Sequence, residues 1–232
     1  MRRALPILAL LLAGTAQADK IRDEEAPDYV ETTGRLTDEA FYRLVACGAP
    51  PRGACIMPFV RWPRETARDL VVQLDGPPTG YPEALAGAMA DALDRAIAEI
   101  NDAGADLRLR RTRGKEEGDI LISLLNISAG EEVRGSGVRD LEGAVMGAAF
   151  VYVWWDASNR ITDARILMAD DLPMEEVYPV LLEELAQSLG FLNDIRNPLY
   201  ETVSVFSEDS NSVETLGRQD RAILRRHYPR AR

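Results

Sequence analysis

The apolar positions of this chain fall into two periods. Between Tyr81 and Ala103, Leu85, Met89, Leu93, Ile97 and Ile100 recur at helical spacing, which predicts a long amphipathic helix with one face in the core. Pro82 stands where a first turn tolerates it, and Gly104 follows as a stop. A second long helix is predicted over Leu172–Leu189, with Pro179 early in it as a start or a kink and Gly190 as its C-terminal cap. Two shorter helices are predicted. Asp38–Ala46 is capped by Thr37, with Asp38 and Glu39 where the dipole favours them. Gly217–Tyr228 is basic at its end, through Arg225, Arg226 and His227.

Strand-like runs lie at Leu70–Leu74, Leu107–Arg111, Asp119–Leu125, Ala144–Trp155 and Arg160–Met168. Turn residues separate them at Asp75-Gly76-Pro77-Pro78, Gly114–Gly118 and Asp156–Asn159. Residues 128–142 and 191–215 read as loops, and Asp19 to about Arg35 as a loose acidic stretch. The order predicts an α+β fold, a mixed sheet packed on two long helices with a last helix closing the chain.

The first residues change the picture of where the protein works. Arg2 and Arg3, the apolar run Leu5–Ala13 and the small-x-small site Ala16-Gln17-Ala18 have the three parts of a secretory leader over residues 1–18. The apolar run is too short to span a bilayer, and no later segment is apolar enough to do so. The expected division is a leader at 1–18, an N-terminal extension at 19–60 and one folded domain at 61–232, in a periplasmic or secreted protein. Cys47 and Cys55 are the only cysteines, and an even, closely spaced pair in an exported chain predicts a disulfide across Gly48–Ala54. The formal charge of −11 becomes −13 once the leader leaves with its two arginines, so the chain has no electrostatic footprint for nucleic acid. Between Asp170 and Asp220, twelve acids face only Arg196 and Arg218. That is a solvated acidic surface or an acidic groove.

The segment Leu181–Asp194 carries the candidate chemistry. Laid over the metallopeptidase pattern H-E-x-x-H-x-x-G-x-x-H, it puts Glu183 and Gln187 at the first two His positions. Glu184 falls at the general base, Gly190 at the Gly and Asn193 at the third His. Zinc hydrolysis needs imidazoles one turn apart on a single helix face. The chain has one histidine, His227, so a two- or three-His zinc site within one chain is excluded.

With that motif, the order of elements resembles the zincin-like peptidase folds, matrix metalloproteases included. The closing segment Leu216–Tyr228 is similar to their final helix. More closely, the chain resembles an exported bacterial family of unknown function, the domain-of-unknown-function family numbered 2927. The likeness rests on Cys47-Gly48-Ala49-Pro50 to Cys55 with Arg61-Trp62, on Glu183–Gly190 with Asn193-Asp194, and on Ser204-Val205-Phe206. It implies a zincin-like fold and no established activity. The missing ligands, and the absence of Met from residues 191–215, put zinc proteolysis in doubt.

Two readings follow. In the first, a non-catalytic module uses the old cleft, with Glu183, Gln187, Asn193 and Asp194, to bind a peptide or an envelope component, without a cofactor. In the second, a peptide or glycan hydrolase uses Glu184 as general base, metal-free or with an oxygen-ligated calcium, magnesium or manganese ion. Glu183 and Glu184 cannot form a two-carboxylate pair, because adjacent helix residues point about 100° apart. Nothing in the sequence sets the oligomeric state.

Overall fold

The structure is a computed structural model, and it describes residues 29–112, 114 and 116–230. The leader expected at 1–18 lies outside the described residues.

A five-stranded mixed sheet has the order β3-β2-β4-β6-β5, built from β2 (Leu70–Leu74), β3 (Leu109–Arg111), β4 (Ile120–Leu124), β5 (Ala149–Trp155) and β6 (Ile161–Met168). All neighbours run parallel except the edge pair β5–β6, joined through the turn at Asp156–Asn159. The period-2 alternation does its expected work. Ile120, Ile122 and Leu124 of β4 and Ala164 and Ile166 of β6 are buried with less buried residues between them, while the end of β6, Ile166 to Met168, is buried on both faces.

The helices are α1 (Asp38–Cys47), α2 (Arg64–Ala67), α3 (Glu83–Asn101), α4 (Val177–Gln187) and α5 (Arg218–His227). Thr37 caps α1, accepting from the Ala40 N–H at 3.2 Å. The helical stripe of α3 is buried as its spacing predicts. α3 packs on α4, while α3 also meets β3 and α4 meets β5. α4 is shorter than expected, with turns at 174–176, and Pro179 sits in its first turn, where its missing N–H costs nothing.

Three short elements escape the sequence pattern. α2 follows Pro63. A two-stranded parallel pair joins β1 (Tyr29–Glu31) to β7 (Asp194–Arg196), so the stretch expected to be all loop after α4 begins with a strand. Three residues are too few to show a period, and the partners are far apart in sequence. The Cys47–Cys55 disulfide is present. Among the described residues no helix is long and apolar enough to cross a membrane.

Candidate functional site around helix α4

α4 presents Glu183 and Gln187 one turn apart on one side, with Glu184 beside them. The helix ends in a left-handed turn at Gly190, φ +101°. A Cβ there would stand 2.1 Å from the Val60 carbonyl oxygen and 3.1 Å from His227 Nε2, so only glycine fits. The turn folds Asn193 and Asp194 back along the helix.

Gln187 and Asp194 then meet. The Gln187 amide Nε2 donates to both carboxylate oxygens of Asp194, at 2.9 and 3.0 Å, and both residues are buried. Asn193 turns the other way. Its backbone N–H and its Nδ2 donate to the Val45 carbonyl at 3.2 and 3.5 Å, and Nδ2 also approaches Met57 Sδ at 3.5 Å. Gly48, left-handed at φ +65°, leaves room for it, since a Cβ there would lie 2.8 Å from Asn193 Oδ1. The candidate site is thereby docked on the end of α1 and on the disulfide loop.

The electrostatics follow from enclosure. Glu183 as a residue keeps some surface, yet its carboxyl is enclosed by the fold, and the titrating atoms decide its charge. Burial first, and then the carboxylates of Asp194, Glu184, Glu208 and Asp220, push its pKa well above the ordinary value. Enclosure and the surrounding carboxylates thus favour its neutral form. Arg196 answers Glu208 at 3.1 Å and Asp209 at 3.2 Å, and its guanidinium lies 3.6 Å from the centre of the Tyr29 ring. Among the described residues, no group of three or more His, Cys, Asp or Glu side chains is arranged to hold a metal ion.

The single histidine overturns one expectation. His227 adds no basic side chain to the exposed end of α5; it is buried. Nε2 lies 2.8 Å from the Val60 carbonyl, which can only accept, so Nε2 carries the proton. Nδ1 then accepts from the Tyr42 hydroxyl at 3.0 Å. Burial lowers its pKa to about 4, and the ring is neutral at physiological pH. Helix periodicity put a polar residue at the chain's end; the tertiary packing of Phe191, Tyr42 and Tyr228 rings around it decided otherwise.

Distant side chains satisfy the carbonyls that α4 leaves open at its end. Trp62 Nε1 donates to Ser188 O at 3.0 Å, and the Tyr228 hydroxyl donates to Leu189 O at 2.7 Å while accepting from the Trp62 N–H at 3.2 Å. Asp220, also buried, accepts from the Ser204 hydroxyl at 2.8 Å and from the Gly217 and Val205 N–H groups at 2.8 and 3.1 Å. Burial raises its pKa to about 6 against the pull of these bonds. Sequence reasoning reached Trp62 and the Ser204–Phe206 stretch through the family likeness alone. Composition carried no signal for them.

A separate cavity of about 480 Å³ lies at the C-terminal ends of β2 and β3, lined by Gln73, Asp75, Arg111 and neighbours, and shares no residue with the α4 site. It is open and polar, and its lining holds no convergent set of reactive groups.

A comparison with curated proteins finds no match. A solved structure similar to this chain is that of myroilysin, at 13% identity and a TM-score of 0.39, covering 75% of this chain and 97% of that one. A family model, described as "Protein of unknown function (DUF2927)", matches residues 53–231, which include the disulfide's second cysteine, Trp62, the whole α4 segment and the closing helix. The chain belongs to the DUF2927 family.

Proposed function

We propose that this is an exported, non-catalytic binding module of the cell envelope that has kept a zincin-like scaffold and lost its zinc ligands. Residues 1–18 act as the leader, 19–60 form an extension carrying the disulfide, and 61–232 form the zincin-like domain. The protein works in the periplasm or is secreted. Its ligand is a peptide or an envelope component, taken at the surface over α4, where Glu184 keeps partial exposure.

The observation that carries this reading is the Gln187–Asp194 pair. At the second imidazole position of the peptidase pattern stands an amide whose nitrogen lies within hydrogen-bond distance of both oxygens of one buried carboxylate. At the third stands Asn193, bonded to Val45. Both positions buttress the fold instead of facing a ligand ion.

The hydrolase reading keeps one supporting observation, Glu184 next to Glu183, a carboxyl whose pKa burial and neighbouring carboxylates raise. One experiment separates the two. The purified chain is screened against a random peptide library and cell-wall fragments for both retention and turnover, alongside Glu184→Gln and Glu184→Arg, with metal content measured before and after chelator dialysis. We expect retention without turnover, weakened in Glu184→Arg and kept in Glu184→Gln, and no stoichiometric metal. Turnover that Glu184→Gln abolishes in a folded protein overturns the binding reading.

A further inference from the structure

The Cys47–Cys55 disulfide sits in surroundings suited to both of its oxidation states. Cys47 is fully buried at the end of α1, and Cys55 is half-buried on a loop whose tip, Pro50 to Arg52, is exposed. One residue, Arg43, serves both sulfurs. Its carbonyl oxygen lies 3.0 Å from Cys47 Sγ, where a thiol would donate. Its guanidinium lies 3.9 Å from Cys55 Sγ and is held there by a 2.8 Å bond to the Gly53 carbonyl. A cation at that place favours a thiolate on Cys55.

The same helix end holds the candidate site. The Cys47 carbonyl accepts from the N–H groups of Ile56 and Met57, at 3.0 and 3.3 Å, which fold the loop back against α1. Met57 then touches Asn193, Asn193 is bonded to Val45, and the next residue, Asp194, accepts from Gln187.

We propose that Cys47–Cys55 is a reversible redox latch on the α4 site, opened by a dithiol reductant such as a thiol–disulfide oxidoreductase. A thiolate of the reductant attacks the sulfur of Cys55, the less buried of the two cysteines, the S–S bond breaks, and Cys47 leaves, takes a proton and donates to the Arg43 carbonyl. The second thiolate of the reductant then attacks its own sulfur in the mixed disulfide. Cys55 is released as a thiolate beside the Arg43 guanidinium, and the reductant departs as a disulfide, two electrons poorer. With the loop untied, Ile56 and Met57 leave α1, Asn193 loses one side of its seat, and the Gln187–Asp194 pair shifts. That the latch governs binding rests on the reading of α4 as a binding surface; the exchange chemistry and the shift do not.

The test equilibrates the full chain with graded ratios of reduced and oxidised dithiothreitol, traps the thiols by alkylation, and follows the Gln187 side-chain amide by ¹⁵N NMR without any ligand. Its signal is identified by its loss in Gln187→Glu. We expect reversible reduction with the fold retained, a displaced Gln187 signal, and the same displacement in the Cys47→Ser/Cys55→Ser variant. At pH 7, Arg43→Gln should slow alkylation of Cys55 by about tenfold and favour the oxidised form by a similar factor, with Arg43→Lys in between. Global unfolding on reduction, an unmoved Gln187 signal, or Arg43→Gln indistinguishable from wild type each overturns the proposal. Because no ligand is used, failure here is distinct from failure to find a binding partner.

Discussion

Lowering the pH from 7.5 to 5.0 should destabilise the protein through one residue whose contribution can be isolated. His227 is buried and neutral, with a folded pKa of about 4 against an ordinary 6.5. The unfolded chain therefore binds a proton that the folded chain refuses, throughout the window between those values. Stability is complete above pH 6.5 and is lost as pH falls toward 4. At pH 5 the unfolded imidazole is almost wholly protonated and the folded one about a tenth protonated, which amounts to a loss of about 2 kcal/mol, growing to about 3 kcal/mol below pH 4. Asp220 opposes this. Its folded pKa of about 6 stands above the ordinary 3.8, so its stabilisation is present at low pH and lost as pH rises through 6. The total pH dependence thus understates both residues, and the assay is a difference. Urea unfolding is measured for wild type and His227→Gln at both pH values. The glutamine amide can still donate to Val60, and the Asp220 contribution is common to both proteins. The gap in stability between wild type and variant should shrink by about 2 kcal/mol between pH 7.5 and 5.0. Parallel pH curves would refute the reasoning. So would the ring NMR signal of the chain's single histidine in wild type, if it titrated with a midpoint of 6 to 7.

Gly190→Ala should cost about 3 kcal/mol or more in denaturant unfolding, because it combines a left-handed backbone with a Cβ placed against the Val60 carbonyl; a cost below about 1 kcal/mol would contradict the geometry. Trp62→Phe removes the donor to Ser188 and part of a buried ring, and should cost about 1–3 kcal/mol in the same assay; an unchanged stability would count against that bond. Glu183→Gln removes a carboxyl whose neutral form the fold favours. Its stability relative to wild type should rise as pH rises, since wild type alone must bury that proton or the charge, and should converge with wild type in acid; a variant that is worse at every pH would count against a neutral Glu183.

Much of this fold is legible wherever one element repeats its period several times. The α3 stripe spans five turns, and β2 emerges with the boundaries its Leu-Val-Val-Gln-Leu run predicts. Legibility fails where stability comes from a partner far along the chain. Tyr29–Glu31 has no apolar alternation and becomes a strand only because Asp194–Arg196 lies beside it. The candidate site divides in the same way. Spacing alone places Glu183 and Gln187 on one helix face, since helical geometry is local. The bond from Gln187 to Asp194 depends on a turn at Gly190, and that turn is shaped by Val60 and His227. No pattern within the motif reports those residues. His227 is the sharpest case, because its position next to two arginines reads as part of a basic helix end and its surroundings make it a core residue.

The contacts between the chain's beginning and its end set the order in which the molecule can be made. Leu36 donates to Tyr200, Asn197 to Thr32, Tyr42 to His227, and Arg226 is paired with Glu39, so α1 has its neighbours only when some 185 further residues exist. At ribosomal speeds of roughly 5–20 residues per second, that delay is about 10 to 40 s. Phe41 meets the Tyr200 and Phe206 rings, and the Val45 carbonyl meets Asn193, only once those residues exist, and Tyr42 and Glu39 wait for α5 itself. That interval leaves time for a chaperone before α1 and α5 close on each other.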